Sequence, residues 1–121
     1  GGTPKTPANI EQLFTPSETR PNYIFQTFLY ASIMCRQQTL KVAPALLYIH
    51  RAASDSYSPV IEMGEPRQPK IPVNNFTFFE DEFRKRLQTL LEEIFSENEP
   101  FTQTEDIKKC SYCDFKAICK R

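Results

Sequence analysis

Pro21-Asn-Tyr-Ile-Phe-Gln-Thr-Phe-Leu-Tyr-Ala-Ser-Ile-Met-Cys35 is the stretch on which the reading of this chain turns. Proline suits the entry of a helix, and Asn22 is an acceptable cap for it. The segment runs to about Gln38 without a breaker and is apolar nearly all round, so it is expected to be buried on more than one side. Gln26 and Tyr30 lie four apart, one helical turn, and so share a face.

Upstream, residues 3–21 carry Pro4, Pro7, Pro16 and Pro21 among many Thr, Ser and Asn, which reads as a loop or tether over 1–21. Downstream, Lys41-Val-Ala-Pro-Ala-Leu-Leu-Tyr-Ile-His50 reads as a strand covered on both faces, with Pro44 placing its early part at an edge or start. Residues 52–75 form a polar connection with one short possible strand at Val60–Met63. From Phe76 to Ser96, apolar residues from Phe83 to Phe95 recur every three or four positions between charges, the pattern of an amphipathic helix ended by Asn98-Glu99-Pro100. The expectation is two main helices with one or two strands. Two strands do not make an independently stable sheet. Such an inventory points to a dimer or to a piece of a larger α/β domain, α+β when taken alone.

A chain of 121 residues makes one small domain at most. The formal net charge is zero, which argues against a strongly basic nucleic-acid arm. Charge is unevenly spread: residues 1–51 carry a local +3, residues 80–99 a local −4 and residues 105–121 a local +2. No apolar run approaches the roughly 18 residues of a membrane span. The opening Gly1-Gly2, without Met, suggests a tag remnant, a processed product or a piece of a longer chain.

The loudest chemical signal is the tail, Cys110-Ser-Tyr-Cys113-Asp-Phe-Lys-Ala-Ile-Cys119. Two thiolates with two residues between them can grip one metal or cluster, and a third can join after a helical turn. Structural zinc and iron–sulfur clusters favour four ligands, so the tail is one short. Clustered thiols also fit a reducing, cytoplasmic setting better than a disulfide framework. Cys35, in an apolar helix, reads as a small buried hydrophobe. His50 is a conceivable fourth ligand of a Cys3His zinc site, though a lone His at a strand end is more often structural. Lys108, Lys109 and Lys116 surround the cysteines and would meet phosphates if nucleic acid approached; solvated lysines near a terminus are the alternative.

Taken in order, the Gln26-x-x-x-Tyr30 pair, the apolar strand, the Phe- and Leu-rich helix, a Phe-Thr segment and the C-x2-C-x5-C tail resemble the C-terminal part of RecB/AddB-type PD-(D/E)xK exonuclease domains. The match covers residues 22–121, with the cysteine tail at 110–119. The resemblance implies the C-terminal portion of a restriction-endonuclease-like α/β fold. It also implies a parent that trims DNA ends in double-strand-break repair, in company with a helicase module. In that family an upstream Asp and an Asp/Glu-x-Lys strand hold Mg2+ or Mn2+, and Gln26 and Tyr30 would support them. Cys110, Cys113 and Cys119 would be the last three ligands of an iron–sulfur cluster whose first ligand lies upstream. No Asp/Glu-x-Lys strand precedes Gln26 here, so the chain is expected to be inactive alone, with the cluster incomplete or absent. A small non-enzymatic zinc-binding module for protein or nucleic-acid docking is the competing expectation.

Overall fold

A computed structural model describes residues 3–37 and 41–120. Its described elements are α1 (Glu11–Phe14), α2 (Asn22–Gln37), β1 (Glu62–Met63), β2 (Ile71–Pro72), α3 (Thr77–Ile94) and α4 (Ile107–Ser111). This mixture of four α-helices and a small antiparallel pair is compatible with part of a larger α/β fold.

The segment read as a tether is anchored and partly helical. Asn9 Oδ1 accepts the Gln12 amide at 3.1 Å while Gln12 Oε1 accepts the Ala8 amide at 2.8 Å, a reciprocal arrangement akin to a capping box. One turn of helix results, and it drives Ile10 and Leu13 into the core. The α2 helix begins as the sequence indicates, but Asn22 does not cap it. The Pro21 carbonyl accepts the amides of Ile24 and Phe25, and Asn22 Oδ1 accepts Arg20 Nε at 2.8 Å instead. Gln38, the expected last residue of the helix, lies outside the described residues.

Burial on α2 is one-sided, contrary to expectation. Ile24, Phe28, Ala31 and Ser32 are buried, whereas Tyr23, Tyr30, Ile33 and Met34 stand exposed. The covering elements, α1 and α3, pack against the same side of it. Phe83 of α3 sits at the centre of the core, its ring 5.3 Å from Phe14, 5.7 Å from Phe25, 6.1 Å from Phe28 and 5.9 Å from Phe76. These tilted and edge-on contacts suit aromatic quadrupoles and add to the apolar burial. The α3 stripe is buried only at its start: beyond Leu87, the side chains of Leu91, Ile94 and Phe95 are exposed.

The strand expected over Lys41–His50 is also corrected. The segment is extended only to Tyr48, since Ile49–Arg51 turn into a 3-10 helix, and its sole ladder contact among the described residues is the bridge between Ala45 and Val60. Pro44 lacks an N–H, and no neighbouring strand among the described residues runs alongside. Its backbone is satisfied piecemeal instead: Leu46 N–H donates to Pro59 O, and the Tyr57 hydroxyl donates to Leu46 O and accepts the Tyr48 amide. Burial alternates along it, with Pro44 buried and Leu47 exposed, so one face only is covered.

Of the short strand expected at Val60–Met63, Val60 makes the bridge to Ala45 and only Glu62–Met63 forms a strand, β1. Its partner β2 emerges from the polar connection, pairing Glu62 with Pro72 and Met63 with Ile71. Gly64 opens the loop between them at φ +150°, a conformation L side chains rarely adopt, and donates its amide to Pro7 O at 3.0 Å. Lys70 folds back to donate to the carbonyls of Gly64 and Glu65, closing the loop. The N-terminal segment, hairpin and helices thus share one core, which holds Ile10, Leu13, Phe28, Ile61, Met63 and Val73.

Candidate functional site

The exposed face of α2 carries the side chains singled out by spacing. Gln26 and Tyr30 are both exposed on it, flanked by Tyr23 one turn before and Met34 one turn after. Neither the Gln26 amide nor the Tyr30 hydroxyl has a hydrogen-bond partner among the described residues. Their backs are held rigid by Phe28, which is fully buried and packs edge-on to Phe76 at 4.9 Å. A long helix anchored through one face presents the other with little conformational freedom, and that is what positioning of a substrate requires.

The cysteine tail is built differently. Asp106 caps α4, its Oδ1 accepting the Lys109 amide at 3.4 Å, and its Oδ2 lies 3.3 Å from Lys109 Nζ. Desolvation pushes the Asp106 carboxyl up, but its hydrogen bonds to Lys109, side chain and backbone, outweigh that and leave it below the usual value. Cys110 sits on this helix, Cys113 follows in a turn, and Cys119 comes after another. All are half-buried free thiols. Gln103 Nε2 donates to Cys119 O at 3.1 Å, tying the end of the tail to the segment before it.

No group of three or more His, Cys, Asp or Glu side chains among the described residues is placed to hold a metal ion. Cys110, Cys113 and Cys119 are therefore neighbours along the tail without forming a ligand set by themselves, and His50 and Cys35 do not join them. Cys35 packs against the core, and burial, reinforced by the nearby Glu80 carboxylate, pushes its thiol up. That keeps it protonated, as suits a small apolar side chain. The residues present do not fit a complete four-ligand zinc or iron–sulfur site.

The lysines of the tail are engaged internally. Lys108 Nζ lies 2.9 Å from Glu18, Lys109 pairs with Asp106, and Lys116 Nζ donates to Ser111 O at 3.4 Å. These contacts are surface-exposed and weak, so they would yield to a phosphate at small cost.

A model of the PD-(D/E)XK nuclease superfamily matches residues 5–120. The chain belongs to this superfamily. No curated protein and no solved structure matches it. The superfamily is named for a signature of an acidic residue, any residue and lysine, and two such triplets occur here, Asp106-Ile-Lys108 and Asp114-Phe-Lys116. Neither lies on a strand: Asp106 caps α4, Lys108 is turned to Glu18, and Asp114 is exposed in the turns that follow. They are the letters of the signature without its geometry. In this nuclease-family chain the sequence correctly exposed Gln26 and Tyr30 as face partners. The same period places Tyr23, three before Gln26 and seven before Tyr30, on that face, but which face of an apolar helix meets water is settled only when its neighbours are placed. No helix among the described residues is long and apolar enough to cross a membrane.

Proposed function

We propose that the chain is the C-terminal part of a RecB/AddB-type exonuclease domain acting on DNA ends. Gln26 and Tyr30 would position the DNA backbone beside a metal centre supplied by another part of the same polypeptide. The observation that carries this reading is the superfamily match over residues 5–120 in a chain that leaves Gln26 and Tyr30 rigidly presented and unpartnered among the described residues. Hydrolysis of a phosphodiester by Mg2+ or Mn2+ requires carboxylates to hold the ion and a cation to stabilise developing charge. In this reading another part of the polypeptide supplies those groups, and Gln26 and Tyr30 contribute positioning rather than bond breaking.

Cys110, Cys113 and Cys119 would supply three thiolates to an iron–sulfur cluster completed by a fourth cysteine of the larger domain, with Lys108, Lys109 and Lys116 beside the DNA. Association with a helicase module and a role in double-strand-break repair belong to the same reading.

The test is cleavage of end-labelled DNA. The chain alone, with Mg2+ or Mn2+, is expected to leave DNA intact, and metal-dependent cleavage by it would refute the assignment of roles. In the enzyme that carries the Asp/Glu-x-Lys strand, Gln26→Ala and Tyr30→Ala are expected to lower the turnover rate by tenfold or more, in the range of lost positioning groups. Unchanged turnover in both variants would remove the pair from the site.

A further inference from the structure

Beside the start of α2 lie two adjoining chambers that share Lys5, Ile24 and Tyr48 in their walls. The larger, of about 310 Å3, is lined by Lys5, Arg20, Asn22 and Tyr23, with no carboxylate in its wall. The smaller, of about 180 Å3, is lined by Tyr48, Tyr57, Ser56 and Ser58, with Glu62 among the residues around it. The larger alone falls at the lower end of the roughly 300–1,000 Å3 usual for small-ligand pockets.

The two cations at this place are not neutralised. Lys5 Nζ donates to Thr19 O at 2.9 Å and Arg20 O at 3.2 Å, which fixes its position and leaves one of its three protons free. Arg20 gives only its Nε proton to Asn22, so its two terminal nitrogens have no partner among the described residues. Neither forms an ion pair among the described residues, unlike Arg84, Arg86, Lys108 and Lys109. The first turn of α2 carries no acidic residue to offset its positive end.

The aromatic side is equally specific. Tyr57 is committed to the backbone through both its hydroxyl bonds, so its ring is a wall. Burial, then the neighbouring Tyr57 and Tyr23, hold the Tyr48 phenol protonated above the usual value. Tyr23 is more than half exposed beside the cations. A cationic chamber continuous with a tyrosine-walled one matches a phosphate joined to a flat heterocycle.

We propose that these chambers hold one nucleotide of a single strand, its phosphate on Lys5 and Arg20 and its base against Tyr48 and Tyr23. This deepens the nuclease reading, on which its nucleic-acid ligand rests. Tyr23 is seven residues from Tyr30, about 10 Å along the helix at a 1.5 Å rise. A strand seated here would therefore run along the α2 face towards Gln26 and Tyr30, so that the chambers set its register outside the cleavage position.

The experiment is fluorescence anisotropy of a fluorescein-labelled oligothymidylate with the full chain, across a salt series, with circular dichroism confirming that each variant is folded. Arg20→Glu is expected to weaken binding about tenfold and to flatten the salt slope by about 0.7, the share of one single-strand phosphate. Tyr48→Ala is expected to weaken it at least fivefold with the slope unchanged, in keeping with a lost stack, while Tyr48→Phe binds as the parent does. Thymidine monophosphate should displace the oligonucleotide at lower concentration than thymidine or inorganic phosphate. Should Tyr48→Ala fold poorly, Arg20→Glu and the competition series still decide. Unchanged affinity and slope in Arg20→Glu, equal displacement by all three competitors, or no binding of the oligonucleotide would overturn the proposal. Loss of binding in Arg20→Glu and Lys85→Glu alike, with Tyr48→Ala unaffected, would signify general charge attraction and also overturn it. If the chambers bind as described but the metal-loaded enzyme cuts no DNA, the nuclease reading fails and the nucleotide site stands.

Discussion

Phe28 and Tyr30 are two residues apart on α2 and face opposite ways, and their alanine variants should separate packing from presentation. Phe28 is fully buried, with its ring 4.9 Å from that of Phe76. Phe28→Ala removes that ring from between Phe76 and Phe83 and leaves a cavity in the core. The cost expected is about 3–5 kcal/mol. Tyr30 is 58% exposed, so about two-fifths of its side chain is withdrawn from water. Full burial of a large apolar side chain is worth roughly 1.5–3 kcal/mol, so its share is about 1 kcal/mol. Alanine's better helix propensity returns up to about 0.5 kcal/mol of that, leaving about 0.5 kcal/mol. At about 4 °C per kcal/mol for a domain near this size, Tm should fall by about 12–20 °C for Phe28→Ala and about 2 °C for Tyr30→Ala. Thermal and urea melts followed at 222 nm supply both numbers. If Tyr30→Ala lost as much as Phe28→Ala, the exposed face would be part of the packing, and the case for Gln26 and Tyr30 as free positioning groups would collapse.

Gly64→Ala should lower stability by about 1–3 kcal/mol, since a Cβ at φ +150° is strained and would stand 3.2 Å from Pro69 O; an unchanged urea midpoint would show that the hairpin loop relaxes freely. The depressed Asp106 carboxyl stabilises α4 only while ionised. Because its folded value lies below the ordinary 3.8, that contribution is complete above this value and is lost as pH falls through the lower folded value. An amide chemical-shift titration of Lys109 should report the transition, and Asp106→Asn, which keeps a capping oxygen, should abolish the titration while retaining the helix. Metal analysis and a visible spectrum of the chain purified without oxygen should show neither stoichiometric zinc nor a cluster; four-ligand zinc would favour the docking-module reading instead. Lys108→Ala should leave stability within about 0.5 kcal/mol, because its contact with Glu18 is exposed on both sides.

Periodicity and punctuation made the two long helices legible. Pro21 and Asn98-Glu99-Pro100 bound them, and the apolar spacing from Phe83 to Leu87 marks the buried side of α3 correctly. Spacing also put Gln26 and Tyr30 on one face, because 3.6 residues per turn is a local property of the chain. The Asn9-Ile-Glu-Gln12 pattern was a readable signal for α1, masked by the prolines around it. Lys41–His50 misleads for a physical reason: its composition favours a strand, but a strand exists only where another backbone supplies hydrogen bonds, and Pro44 and the Tyr57 hydroxyl take that place here.

The sequence by itself determined the two long helices, the face shared by Gln26 and Tyr30, and the three cysteines of the tail, since each depends on residues close along the chain. Only the tertiary structure decided which side of α2 meets water, that Lys5 meets Arg20 and Tyr48 across the start of that helix, and that the tail thiols do not assemble a ligand set. Those outcomes depend on contacts between residues far apart in sequence, where burial of Phe28 and Phe83 in one aromatic core fixes the orientation of everything attached to it.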